Sequence, residues 1–212
     1  IEIVKNRIKS NSMIGIIDYG LGNIKAFYNI YKEKNINLKI ISKTEDLDQN
    51  IKKLILPGVG SFDNAITLLQ EKKLFKKIVN FAKNPENKIL GICVGMQILA
   101  LQSLEGNLNG MALIDGKFEK LNNKILPHIG WNNINFKNKI NLFNGIDQNS
   151  YFYFLHSYAL LNLNEKYKVC ETFYGENFVS AFKKDNIYGI QFHPEKSHLL
   201  GGKVLLNFYE NA

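Results

Sequence analysis

The chain is short of the residues that mark several whole classes of protein. Its 212 residues hold two cysteines, Cys93 and Cys170, far apart and outside any Cys-x-x-Cys pair. That excludes a disulfide framework and a cysteine-ligated zinc site. It points instead to a reducing, cytoplasmic compartment, where a thiol nucleophile stays reduced. Nowhere do about 18 apolar residues run together, so no membrane span is expected, and no signal-peptide pattern is visible. Arginine is almost missing: Arg7 stands alone, and every other Lys/Arg position is lysine, scattered among many asparagines. The net charge of +8 is therefore read as a lysine-rich solvated surface and no nucleic acid is expected as a partner. Base readers use arginine for bidentate contacts, and no basic block with interleaved aromatics occurs. A positive face that meets an acidic partner protein is the other reading of that charge.

What is present is an apolar content of 45%, ample for one large domain of this length. The ordered pattern begins at Met13. Residues 1–12 are expected to be an extension before the usual start, and residues 13–212 one compact domain without repeats or linkers. Residues 13–18 read as a first buried strand, followed by a turn over 19–23 and a helix over about 24–34. Leu38–Ile41 and residues 53–56 are the next strands, the second closed by Pro57-Gly58-Val59-Gly60. Helical periodicity runs over 62–82, a strand over Lys88–Ile92 follows, and a helix is expected from there through residue 104. This alternation predicts an α/β fold whose central sheet is mostly parallel, doubly wound and flanked by helices. From 116 to 190 the character changes to short strand-like pieces, at 152–155, 168–172, 179–182 and 187–191. They suit antiparallel additions to the sheet or a small second sheet. A last helix is expected over about 199–209.

The chemistry concentrates at Gly91-Ile92-Cys93-Val94-Gly95-Met96-Gln97, directly after an apolar strand. Glycines on either side of a cysteine, between a buried strand and a helix, are the pattern of a nucleophile elbow. The helix N-terminus there favours thiolate over thiol. Far downstream stand His193-Pro194-Glu195. In extended chain, residues two apart share a face, and the proline keeps its predecessor extended. The expectation is that His193 faces Cys93 while Glu195 holds the imidazole ring, a thiol–imidazole–carboxylate triad. His128, His156 and His198 lack both contexts and are weaker candidates for the base. Cys170 is read as a packing residue. Acyl chemistry also needs an oxyanion hole. The Val94 amide, first after the nucleophile, is one donor, and the loop Pro57–Gly60 can aim a second. Gly20-Leu21-Gly22 after the first strand lacks the third glycine of a dinucleotide loop, since Lys25 stands there. No cofactor and no metal is expected.

The elbow taken together with His193-Pro194-Glu195 resembles the class I, or triad, glutamine amidotransferases. Further segments sharpen the likeness: 18–24 (Asp-Tyr-Gly-Leu-Gly-Asn-Ile), 56–62 (Leu-Pro-Gly-Val-Gly-Ser-Phe), 127–132 (Pro-His-Ile-Gly-Trp-Asn), 152–158 (Phe-Tyr-Phe-Leu-His-Ser-Tyr) and 189–197 (Gly-Ile-Gln-Phe-His-Pro-Glu-Lys-Ser). All five look like the glutaminase subunits of imidazole glycerol phosphate synthases, and the likeness runs from Met13 to the C-terminus. The Pro-Gly-Val-Gly loop is especially discriminating, because most relatives carry Pro-Gly-Gly there, and so is Gly130-Trp131-Asn132. The resemblance implies that Cys93 attacks the side-chain amide of glutamine, with His193 and Glu195 completing the triad. It implies that Val94, Gly58, Val59 and Gly60 form the oxyanion hole, and that Gln97 helps hold the substrate. It implies a heterodimer with a (β/α)8 cyclase subunit, which takes the ammonia and makes imidazole glycerol phosphate and AICAR in histidine biosynthesis. Asn23, Trp131, Asn132, Tyr153 and Lys196 match the family's interface positions. In the family the oxyanion loop is misaligned until the partner binds its ligand. The segment before Met13 is extra, and His128-Ile129 is a mild departure.

Three other readings belong beside that one. The same glutaminase could supply ammonia to a synthase-like partner that amidates a surface sugar, because the donor subunit hardly constrains the acceptor. A non-catalytic interaction subunit would need a broken triad, and all three triad residues are present. A cysteine peptidase on a related fold would lack the His-Pro-Glu arrangement and the Gln97 contact.

Overall fold

A computed structural model describes residues 13–212, and the expected extension at 1–12 lies outside the described residues. The first strand, β1 (Met13–Ile17), is an unbroken apolar run, as a strand covered on both faces must be. Helix α1 (Ile24–Lys32) buries Phe27 and Tyr31 and leads to β2 (Leu38–Ile41) and β3 (Ile51–Leu56). Helices α2 (Phe62–Glu71) and α3 (Leu74–Ala82) then cross to β4 (Lys88–Ile92), which feeds α4 (Val94–Leu99). The expected single helix over 62–82 is two helices. Lys73 takes a left-handed φ of 58° between them.

The chain continues with β5 (Ala100–Ser103), β6 (Ile114–Lys120), β7 (His128–Asn133), β8 (Asn135–Phe136), β9 (Tyr151–His156) and β10 (Tyr158–Leu160). It ends with β11 (Lys168–Tyr174), β12 (Glu176–Lys184), β13 (Ile187–Ile190) and α5 (His198–Asn211). One correction falls here. The helix after Cys93 does not run through residue 104, because Ala100 turns extended and β5 begins. The reason is competition for carbonyls. The Ile98, Leu99, Ala100 and Leu101 carbonyls accept from the amides of Met111, Leu113, Ala112 and Gly110. Those acceptors are then taken by another segment, and a continuing helix has no bonds to make there.

The main sheet has the order β2-β1-β3-β4-β13-β12-β10-β6-β5, with β11 and β8 joined beside β12. Strands β2, β1, β3, β4 and β13 run parallel to one another, whereas β12, β10, β11 and β8 add antiparallel pairs. β7 and β9 form a separate antiparallel pair. Because the five central strands are parallel, the residues that follow β1, β3, β4 and β13 all emerge at one edge. In open α/β sheets that carboxyl edge is where ligands bind. Asn23, the 57–60 loop, Cys93 and His193 are those residues. Among the described residues, no helix is long and apolar enough to cross a membrane.

Candidate active site

Strand β4 ends level with β13, Ile92 opposite Ile190. The Cys93 amide donates to the Ile190 carbonyl at 2.9 Å, and the Cys93 carbonyl accepts from the Gln97 amide at 3.1 Å. Between those two bonds Cys93 is pinned at φ 54°, ψ −114°, a conformation L-residues rarely adopt. Such strain persists only where the surroundings over-determine it. The flanking glycines make the turn possible. A Cβ on Gly91 would lie 2.5 Å from the Leu99 side chain and 2.7 Å from the Gly95 carbonyl oxygen, and one on Gly95 would overlap the Leu56 carbonyl oxygen. The thiol contacts around the sulfur are long: Sγ to the Leu155 carbonyl at 3.7 Å, and Gln191 Nε2 to Sγ at 3.8 Å.

His193 is anchored through its amide, which donates to the Tyr153 carbonyl at 2.8 Å. Its Nδ1 lies 2.8 Å from Glu195 Oε1, with both side chains buried. The pairing arises differently from the same-face strand expectation. Residues Pro194–Lys196 form a single 3₁₀ turn, which folds the carboxylate back onto the ring. Burial pushes the imidazole pKa down. The charge at Cys93 and the hydrogen-bonded Glu195 carboxylate push it up further, so the net shift is upward. His193 Nε2 is buried without a hydrogen-bond partner among the described residues, which leaves it for the chemistry at Cys93.

A cavity of about 240 Å³ opens over this pair, lined by Val59, Gly60, Cys93, Val94, Gln97, Glu105, Pro127, Leu155, His156, Ser157, Tyr158 and His193. The structure thus brings together Cys93, His193, Val94, Gln97 and two residues of the expected oxyanion loop. Gly58 lies behind the wall: a Cβ there would sit 2.7 Å from the Gly95 nitrogen and 2.8 Å from the Tyr19 hydroxyl. That hydroxyl donates to the Pro57 carbonyl at 2.8 Å, which fixes the start of the loop. Burial, and secondarily the charge at Cys93, push the Tyr19 pKa up, so it remains a donor. Gln97 donates through Nε2 to the Tyr158 carbonyl at 3.5 Å, and its buried Oε1 has no partner among the described residues.

Glu105 is a cavity residue that the sequence reading missed. Its Oε2 accepts from the Phe62 amide at 2.9 Å, at the N-terminus of α2, and burial pushes its carboxyl pKa up. Asp63 shapes the neighbouring turn by accepting from the amides of Asn107 and Leu108. The available signal was a carboxylate one turn after the apolar run 98–101, but a helix drawn through residue 104 carried it away from the thiol.

The expected interface positions divide. Trp131 is 45% exposed, stacks on exposed His198 at 5.1 Å, and meets the Tyr153 ring edge-on at 6.1 Å. Lys196 Nζ sits 5.5 Å over that same ring. Asn23 caps α1, its side chain accepting from the Ala26 amide at 3.2 Å. Asn132 turns its amide inward, to the Phe173 carbonyl and the His128 ring. Cys170 is fully buried and its thiol pKa is pushed well up by that burial.

Two more histidines stand at the cavity: His156 lines it and His128 packs behind His156. Burial pushes the His128 pKa down to about 4; it also pushes His156 down to about 3, with His128 adding to the effect. Both rings are neutral in the fold, whereas an unfolded chain protonates them below about pH 6.5. Stability from this pair is therefore complete above about pH 6.5 and is lost as pH falls towards the folded values. The slope reaches about 2.7 kcal/mol per pH unit once both unfolded rings are charged. His193 acts in a different window. Its raised pKa contributes stability that is complete below about pH 6.5 and lost as pH rises through its folded value. Thermal melts from pH 7 to pH 5 are expected to show a falling Tm, and a flat profile would contradict neutral burial of the pair.

Residues 15–211 match the family model described as glutamine amidotransferase class-I. The chain is 42% identical over 202 residues to "Imidazole glycerol phosphate synthase subunit HisH" of Leptospira borgpetersenii, covering 92% of this chain and 98% of that one. It is 43% identical over 203 residues to "Imidazole glycerol phosphate synthase subunit HisH 2" of Methanococcus maripaludis, covering 94% and 100%. Among solved structures, "Structure of PurLQS from Thermotoga maritima" superposes with a TM-score of 0.73 at 17% identity, covering 94% of this chain and 97% of that one. At that identity the likeness is one of fold.

Proposed function

We propose a function from one premise: the chain belongs to the class I glutamine amidotransferases, and within them to the HisH subunits of imidazole glycerol phosphate synthase. It hydrolyses glutamine to glutamate and ammonia, and it delivers the ammonia to a (β/α)8 cyclase subunit that forms imidazole glycerol phosphate in histidine biosynthesis. The observation that carries this reading is the single cavity holding Cys93, His193, Gln97, Glu105 and the Val59-Gly60 loop.

The chemistry follows from those positions. Cys93 Sγ attacks the side-chain amide carbon of glutamine, and the carbonyl oxygen becomes an oxyanion. The Val94 amide at the start of α4 and an amide of the 58–60 loop are its donors, each worth about 3–4 kcal/mol of transition-state stabilisation. His193, held by Glu195, gives its proton to the departing ammonia as the thioester forms. Water then attacks the thioester, His193 takes its proton, and glutamate leaves with Cys93 restored. The Glu105 carboxylate pairs with the substrate α-ammonium, and the free Gln97 Oε1 accepts a hydrogen bond from glutamine. Trp131, Tyr153 and Lys196 form a face for the cyclase, with Asn23 and Asn132 beside it.

The test is glutamate release by the purified chain, alone and with its cognate cyclase subunit plus the cyclase's nucleotide ligand. Low activity alone, rising at least about a hundredfold with both, is the expected result. Such a rise equals one oxyanion donor brought into place. No response to the cyclase, with activation instead by a synthase-like protein that amidates a sugar, would move the ammonia acceptor and leave the glutaminase in place.

A further inference from the structure

His128 and His156 face each other across the β7–β9 pair, with His128 Nδ1 and His156 Nε2 at 3.2 Å. On one side, Asn132 Nδ2 lies 3.2 Å from His128 Nε2 and donates its other hydrogen to the Phe173 carbonyl at 3.0 Å. On the other side, His156 Nδ1 lies 3.0 Å from the Tyr158 carbonyl. A carbonyl only accepts. The Phe173 carbonyl therefore fixes the Asn132 amide with nitrogen inward, and the Tyr158 carbonyl requires a proton on His156 Nδ1. For two neutral rings one arrangement satisfies every contact. Asn132 donates to His128 Nε2, His128 Nδ1–H donates to His156 Nε2, and His156 Nδ1–H donates to Tyr158.

The relay ends at the carbonyl that also receives Gln97 Nε2 at 3.5 Å, and His156, Ser157 and Tyr158 all line the cavity. The His128 ring lies between Phe154 and Tyr174, stacked at 4.9 Å and 3.9 Å. An aromatic hydrocarbon would fill that slot. Imidazole adds the donor and the acceptor the chain of bonds needs at that point. We propose that Asn132, His128 and His156 are positioning residues for glutamine: their one-way hydrogen-bond relay holds the Tyr158 carbonyl, and with it Gln97, in the pose that binds the substrate. The ligand named here rests on the glutaminase reading; the relay itself rests on geometry alone.

Ring-15N histidine spectra of the full chain at pH 7 test the relay without activity. The expected pattern is two neutral rings, both carrying their proton on Nδ1, against the Nε2–H preference of free imidazole. A protonated ring, or Nε2–H on either one, would overturn it. Glutamine affinity, measured calorimetrically in a Cys93→Ala parent, tests the positioning role. His128→Phe keeps the stacked ring and removes the donor, so Kd rises about tenfold, the cost of one buried acceptor left unpaired. His128→Asn keeps a donor near the Nδ1 position and loses the ring, so it binds more tightly than His128→Phe. The reverse order, or an unchanged Kd in His128→Phe, would mean packing and sink the proposal. Should His128→Phe not fold, Asn132→Leu cuts the relay at its outer end. A rise in Kd of about threefold with a shifted His156 nitrogen supports the relay, and no change in both defeats it. If the parent binds no glutamine, the glutaminase reading falls and takes the named ligand with it, while the tautomer pattern is still judged on its own spectra.

Discussion

Cys93→Ala is expected to abolish glutamine hydrolysis, with a loss of about 10⁴-fold or more, while glutamine still binds. The loss is total in kind because no other group can form the thioester. Cys170 is fully buried, with a thiol pKa pushed well up, and lies on β11. The remaining acceleration would come from oxyanion donors and binding alone, which elsewhere leave about 10³–10⁴-fold over water when a nucleophile is removed. Binding is expected to survive because Gln97 and Glu105, the substrate-holding residues of the proposed function, line the cavity apart from the sulfur. The fold survives because the sulfur makes only long contacts, at 3.7 Å and 3.8 Å. Removing it also relieves His193 of the charge that holds its pKa up, so the alanine variant loses part of the stability that His193 supplies below about pH 6.5. Glutamate release with the cyclase subunit and its ligand present, beside calorimetric glutamine binding, checks both halves. Residual turnover above about 1% of the parent would assign the nucleophile elsewhere.

The parts of this site that could be read from the sequence are those that local backbone chemistry enforces. An elbow needs glycine at fixed offsets from its nucleophile, so Gly91 and Gly95 announce Cys93 without any knowledge of the partner strands. His193 and Glu195 are two residues apart, and their pairing survives the replacement of an extended strand end by a 3₁₀ turn. The apolar runs within β1, β3 and β4 are likewise self-declaring. What escaped the sequence depends on carbonyls being claimed from afar. Residues 98–104 carry a helical pattern, and only the amides of 110–113 convert their end into β5. Glu105 became a cavity residue through that same conversion. From sequence His128 and His156 read as rival bases, because a hydrogen-bond direction set by the Phe173 and Tyr158 carbonyls is invisible until β7 and β9 are paired.

The other large effect belongs to a residue that touches no substrate. Gly95 stands on the first turn of α4, and a Cβ there would overlap the Leu56 carbonyl oxygen, lie 2.8 Å from the Leu56 carbonyl carbon and 3.2 Å from that of Pro57. Every one of those atoms is backbone, so no side chain can swing aside. Gly58 meets the same contact from the opposite side, with its own would-be Cβ 2.7 Å from the Gly95 nitrogen. Two glycines thus let the nucleophile helix and the oxyanion loop approach to backbone contact. Gly95→Ala must either push α4 away from the end of β3 or push the loop outward. Overpacking of this kind costs about 1–3 kcal/mol, and more where the opposing atoms are backbone. Tyr19 holds the Pro57 carbonyl and β4 pairs directly with β3, so the displacement falls on the distance between Cys93 and the 58–60 amides. A misplacement of about 1 Å at a reacting centre costs about 10²-fold. Gly95→Ala is therefore expected to lower kcat about a hundredfold with KM for glutamine little changed, since the proposed function assigns the far end of the substrate to Gln97 and Glu105. Urea unfolding should show it at least about 2 kcal/mol less stable than the parent. Unchanged kcat in a folded Gly95→Ala protein would mean that the oxyanion donors do not come from the loop this glycine touches, and would leave the Val94 amide to act alone.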